Sequence, residues 1–141
     1  MDETSQFDEQ GRYVAVTDGI SVHVKPVFLP RQSDPGAGQY VWAYEITINN
    51  HSDQTVQLLN RHWRITDGNG RIEEVQGPGV VGKQPVLSPG QSFSYASGCP
   101  LSTPSGFMGG HFEMVGERGE RFPVQVPVFS LDLPTSDRSV N

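Results

Sequence analysis

The sequence holds a single cysteine, Cys99, so it cannot close an internal disulfide. It is also short of positive charge: 10 Lys and Arg against 16 Asp and Glu give a formal net charge of −6. An acidic chain attracts neither nucleic-acid phosphates nor an anionic membrane surface, so no nucleic-acid partner is expected. No apolar run approaches the roughly 18 residues of a spanning helix, which argues against membrane insertion. The acidic opening MDETSQFDEQ lacks the basic and apolar regions of a secretory leader, and a cytoplasmic location is expected. Helical periodicity is missing too. No window of ten or more residues keeps apolar positions at i, i+3, i+4 and i+7 without a Gly or Pro break.

What is present is period-two alternation, the signature of half-buried strands. Ile20, Val22 and Val24 alternate with polar residues, and so do Tyr40, Trp42, Tyr44, Ile46 and Ile48. Val56 and Leu58 share one parity, whereas Leu59, Arg61, Trp63 and Ile65 share the other, which predicts a bulge near Leu59. Phe122, Val124 and Val126 give way past Pro127 to Phe129, Leu131 and Leu133, a second parity change. Turn chemistry separates the strands: Asp67-Gly68-Asn69-Gly70, Ser88-Pro89-Gly90-Gln91, and Gly116 to Gly119. A longer loop covers Gln32 to Gln39. The 141 residues are enough for one domain that buries about 68% of its surface on folding. The pattern predicts seven to nine strands in an all-β antiparallel β-sandwich of the immunoglobulin or fibronectin type III kind. Trp42 is expected between the sheets. Residues 12–134 form the domain on this reading. Residues 1–11 and 135–141 are expected to be flexible polar tails.

Between Gly77 and Phe112, a stretch of 36 residues with eight Gly and five Pro, Lys83 is the only formally charged side chain. At the overall 18% charged, about six charges would be expected there. Either the stretch is turned and packed against the sandwich, or it is a neutral surface that docks on a partner. The run Gly77-Pro78-Gly79-Val80-Val81-Gly82-Lys83-Gln84-Pro85 is followed by Leu87, Pro89-Gly90, Phe93, Tyr95 and Ser97-Gly98-Cys99-Pro100-Leu101. Then come Thr103-Pro104, Gly106, Met108-Gly109 and Phe112, and before them lies Leu58-Leu59-Asn60-Arg61-His62-Trp63-Arg64-Ile65-Thr66-Asp67. Over about residues 12–134 this resembles the ApaG (DUF525) domain family. Its short standalone bacterial members are closer than the eukaryotic chains that carry the domain inside F-box or DNA-polymerase-interacting proteins. The resemblance implies a fibronectin-III-like sandwich, protein–protein contacts, and an association with cobalt resistance and magnesium efflux. It implies no settled activity.

Gly77-x-Gly79-x-x-Gly82 has the form of a dinucleotide fingerprint, but that fingerprint works through a helix N-terminus facing the pyrophosphate. Pro85 and Pro89 leave no room for such a helix, so a sharp strand connection is expected. Lys83 keeps open an alternative in which the loop binds phosphate, a nucleotide or a divalent cation as a sensor. His23, His51, His62, His111 and Cys99 show no metal-ligand spacing; His62 and His111, both within the family-like segments, are the weak metal candidates. Cys99 has no nearby base, so a buried inert thiol is expected, and no pair of carboxylates stands out for acid–base work. If Trp63 faces the core, Arg61 sits at its rim while His62 and Arg64 point outward. Arg61 and Arg64 then serve either as interface anchors or as ties to loop carbonyls. The sequence thus predicts a non-enzymatic binding module without cofactor. Its surface centres on Gly77, Gly79, Gly82, Lys83, Phe107, Met108 and Phe112, with Arg61 and Arg64 at the rim, facing an unidentified protein partner. Exposed sheet edges could also pair two copies as a homodimer.

Overall fold

The computed structural model describes residues 6–134. Among these residues nine strands occur in order: β1 Tyr13–Thr17, β2 Ile20–Phe28, β3 Tyr40–Asn50, β4 Val56–Asp67, β5 Ile72–Pro78, β6 Val86–Leu87, β7 Ser92–Leu101, β8 Gly106–Val115 and β9 Arg121–Leu131. Among the described residues, helical geometry is confined to two single 3-10 turns, Pro30–Gln32 and Pro35–Ala37, in the loop before β3. All the strand pairings are antiparallel. One sheet has the order β1-β2-β3-β7 and the other β5-β4-β8-β9, with the short β6 also paired to β4. This is the antiparallel β-sandwich expected from the alternation.

One parity of each strand fills the space between the sheets. Ile20, Val22 and Val24 join Trp42, Tyr44, Ile46 and Ile48 from the first sheet. Leu58, Trp63, Met108, Phe112, Val124 and Phe129 meet them from the second. Trp42 is buried, lies edge-on to Phe28 at 5.4 Å, and donates its indole N–H to the Asp132 carbonyl at 2.8 Å. Both parity changes appear as slips of register. β4 slips against β8 between Leu58 and Asn60, and β9 slips against β8 between Met108 and Gly110. Pro127 falls at the second slip on an outer strand, where a missing N–H need not cost a ladder bond. The three turns close through Gly70 N–H to the Asp67 carbonyl, Gln91 N–H to Ser88, and Gly119 N–H to Gly116.

The sandwich is tied on one side and open on the other. At the β1/β9 side, Ser130 N–H donates to the Tyr13 hydroxyl at 3.3 Å and Gln125 N–H to the Thr17 hydroxyl at 3.1 Å. The Tyr13 ring also packs 6.2 Å from Phe129. At the opposite side the outer strands are β7 and β5, and inward residues such as Val75, Tyr95 and Ser97 stay half-buried.

The expected N-terminal tail is shorter than residues 1–11. Phe7 bridges to Tyr13, and Val14 N–H donates to the Gln6 carbonyl at 3.0 Å. The Asp8 carboxylate accepts bonds from the Gln10 and Arg12 backbone at 2.8 and 2.9 Å and from Arg12 Nε at 2.7 Å. Much of this attachment is made by an acidic side chain, so a reading based on apolar content overlooked it. Residues 1–5 and the expected tail 135–141 lie outside the described residues.

Gly110 carries the tightest local constraint beside the β9 bulge. Its φ is +153°, and a Cβ there would overlap the His62 carbonyl oxygen. Gly110→Ala is expected to cost about 3 kcal/mol or more, read as a lowered urea midpoint. Gly98→Ala, where the nearest atom to a new Cβ is 3.5 Å away, should leave the midpoint nearly unchanged.

Candidate functional site

Trp63 points inward, so its neighbours on β4 are sorted by parity. His62 and Arg64 emerge on the outer face of the β5-β4-β8-β9 sheet, and Arg61 turns toward the rim of the core. Cross-strand pairing places His111 opposite His62, and the two rings stack at 5.1 Å with planes 12° apart. His62 Nε2 lies 3.0 Å from Glu74 Oε1. Two hollows flank this pair. One, of about 490 Å³, is bounded by Arg61, His62, Gly77, Pro78, His111 and Glu113 among others. The other, of about 320 Å³, is bounded by residues that include His62, Arg64, Phe107, His111, Gln125 and Val128. Phe107 is 47% and Val128 64% exposed.

The structure therefore gathers Arg64, Phe107, His62 and His111 along the outer face, while Arg61 and Gly77, paired at its edge, border the neighbouring hollow from the inward parity. It does not add Met108 or Phe112 to that surface. They lie on the inward parity of β8, at 1% and 0% exposure, and are core residues. The charge-free stretch divides accordingly. Its β8 part, Gly106 to Phe112, places Met108 and Phe112 in the core, while Ser92, Ser94, Ala96, Gly98 and Pro100 on the outer parity of β7 are exposed. Val128 was missed because the parity change after Pro127 hides which residues of β9 face outward.

The glycine loop is a hairpin turn. Val80 and Lys83 exchange backbone bonds at 2.8 and 2.9 Å, and Gly79 N–H donates to the Leu59 carbonyl at 2.8 Å. Val81 and Gly82 between them both have positive φ, +43° and +79°, as a type I′ turn requires. Three amides of the loop are thus committed within the chain, and β6 rather than a helix comes next. Gly79 has no room for a side chain against the Lys83 carbonyl. Arg61 secures the loop: its Nη1 donates to the Pro78 and Gly79 carbonyls at 3.0 and 2.9 Å, and its guanidinium lies on Gly77. This is the tie to loop carbonyls that was one of the two readings for Arg61.

The remaining chemistry is modest. Cys99 is buried, and burial first, then the charge of Glu73, pushes its thiol up to about 11, which keeps it protonated and unreactive at neutral pH. Among the described residues, no group of three or more His, Cys, Asp and Glu is placed to hold a metal ion.

One constellation escaped the sequence reading. Asp8 Oδ2 lies 2.7 Å from His23 Nδ1, and His23 Nε2 lies 3.0 Å from Ser21 Oγ. The order Asp–His–Ser is that of serine hydrolases. Here, however, Ser21 is 5% exposed near the start of β2 and paired on both sides, to Val16 and Asn49. Neither hollow beside the His62–His111 pair reaches it. The i, i+2 spacing of Ser21 and His23 was visible in the sequence, but Asp8 came from the presumed tail. Burial alone would raise the Asp8 carboxyl, yet bonds from the Arg12 backbone, His23, Arg12 Nε and the Gln10 backbone outweigh it and hold the group well below the usual carboxylate range.

A folded-state value below the unfolded one means that Asp8 stabilises the fold above the ordinary Asp range, and that this contribution fades as pH falls toward the folded value. Asp8→Ala is expected to speed amide hydrogen exchange at Gln10 and Arg12 at neutral pH while the core strands stay protected. In the native chain the same release should require strong acid. Val81 holds a β-branched side chain at positive φ, so Val81→Asn is expected to raise stability by about 1 kcal/mol in urea unfolding.

The ApaG domain family matches residues 30–116. The chain is 60% identical over 129 residues to the protein ApaG of Mesorhizobium japonicum, covering 92% of this chain and 99% of that one. It is 55% identical, with the same coverage, to the protein ApaG of Brucella abortus. The crystal structure of the putative ApaA protein from Bordetella pertussis superposes with a TM-score of 0.80 at 50% identity, covering 82% of this chain and 94% of that one. The domain match and these near full-length likenesses agree, and the chain belongs to the ApaG family.

Proposed function

We propose that this chain is a non-catalytic protein-interaction module that docks through the outer face of the β5-β4-β8-β9 sheet. The observation that carries this reading is the pair Phe107 and Val128, both exposed beside one hollow. An apolar centre with a polar rim is the anatomy of a protein interface. The rim here consists of the His62–His111 stack, Glu74, Gln125 and Arg64, which makes no ion pair among the described residues. Gly109 is buried under the Val128 side chain, which a Cβ there would meet at 3.0 Å, so the glycine lets Val128 lie close over β8. The face is part of a rigid two-sheet scaffold, so a partner would meet it without reordering the backbone.

The sensor alternative draws less support, because amides of the glycine loop that would face an anion are committed to Leu59, Val80 and Lys83. On the docking reading, the association of similar chains with cobalt resistance and magnesium efflux runs through a protein partner.

Affinity capture from the native cell tests the proposal with three proteins: wild type, Phe107→Glu and Val16→Glu. Val16 is 66% exposed on the other sheet and serves as the control. A partner retained by wild type and Val16→Glu and lost from folded Phe107→Glu is the expected result. Equal capture by all three would rule this face out.

A further inference from the structure

The open side of the sandwich contains a third hollow, and its chemistry differs from that of the outer face. It lies between the inner sides of β7 and β5, under the Val80–Gly82 turn, and measures about 410 Å³, within the usual range of small-molecule sites. Trp63, Ile65, Val75, Cys99, Pro100 and Met108 supply apolar wall. The Tyr44 and Trp63 rings meet edge to face at 5.4 Å.

Polar groups gather toward one end. Ser97 lies beside the Tyr44 hydroxyl and favours its ionised form against burial. The Tyr95 hydroxyl oxygen is buried and has no hydrogen-bond partner among the described residues. A buried hydroxyl without a partner is costly, and such groups in a native fold call for a physical reason. Burial raises both phenols above their ordinary values, so each stays protonated and Tyr95 offers a proton to an acceptor. Arg61 also faces this hollow, and its positive charge is a minor influence that acts on both oxygens in the direction opposite to burial. Glu73 acts instead at Cys99, toward the other end. Strand register puts Arg61 opposite Gly77 and Glu73 opposite Ile65, so the hollow has a cation toward one end and an acid beside its apolar wall at the other, with the Tyr95 hydroxyl as a spare donor.

We propose that the inter-sheet cleft is a binding site for a small amphipathic carboxylate, with its head between Arg61 and the Tyr95 hydroxyl and its apolar body against Trp63, Ile65 and Met108. A carboxylate fits better than a phosphate because the positive end holds one cation and one free donor, and Glu73 would oppose a second negative charge. The strained Val81 and its turn form the lip. This site is separate from the Phe107 face and does not depend on the docking reading.

The test is titration of the isotopically labelled protein with octanoate and phenylacetate, and with the uncharged octanamide and phenylacetamide, following backbone amide and Met108 methyl signals. Expected are shifts confined to Tyr44, Trp63, the Val80–Gly82 turn and residues 95–99, with the acids binding more tightly than the amides. Tyr95→Phe keeps the ring and removes only an unpaired hydroxyl, so it should fold at least as stably as wild type while binding the acids about tenfold more weakly. Phe107→Glu should bind them as wild type does. Three results would each overturn the site: shifts scattered over exposed Lys and Arg, equal binding of acids and amides, or unchanged acid binding by folded Tyr95→Phe.

Discussion

Trp63 joins the two sheets and decides where the residues around it go. Its ring lies 5.4 Å from Tyr44 across the core, 6.1 Å from Phe112 and 6.3 Å from Phe129. Removing such a buried ring typically costs about 3–5 kcal/mol, so β4 has one stable parity. With that parity set, His62 and Arg64 face outward and Arg61 faces the rim. A cation turned inward at a sheet edge needs acceptors, and the Pro78 and Gly79 carbonyls supply them. Gly77, which pairs with Arg61 across β4 and β5, leaves room for the guanidinium to reach them. One aromatic contact thus organises the outer hollows, the glycine turn and the polar end of the inter-sheet cleft.

Most of the fold could be read from residue order. Alternation in β2, β3 and β4 located the buried parity, and both slips of register fell where that parity changed, at Leu59 and past Pro127. The hairpin at Asp67 to Gly70 and the turn at Ser88 to Gln91 were readable from the tolerance of Asn and Gly for positive φ. The site was less legible. Arg61, Arg64, His62, His111 and Phe107 were identifiable as unusual residues, but charge depletion does not distinguish a central strand from an exposed edge. That is why Met108 and Phe112 were assigned to a surface. Tyr95 lay in the same stretch without a signal of its own, because an unpaired hydroxyl is a property of packing and not of sequence. The Asp8–His23–Ser21 chain spans β2 and the segment before β1, and only the tertiary fold brings its members together.

The glycine motif shows how far a short pattern depends on the element next to it. Beside a helix N-terminus, amides would converge on a ligand. Between β5 and β6 the same spacing turns the chain back on itself, with Val80 and Lys83 satisfying each other. The spacing of the glycines is unchanged, but the groups that would bind a phosphate are used to close a turn.

The four outer strands are not equally protected. β1 is flanked by residues 6–8, β5 carries Glu73 and Glu74, and β9 has Pro123, Pro127 and a bulge. The edge offered by β7, from Ser92 to Leu101, has no formal charge and only Pro100 to interrupt it. Edge strands without such guards are templates for further strands. In a crowded or overheated solution, ordered aggregation would therefore begin at β7, and a single lysine introduced on its solvent side is the smallest change that would improve the colloidal behaviour of the chain.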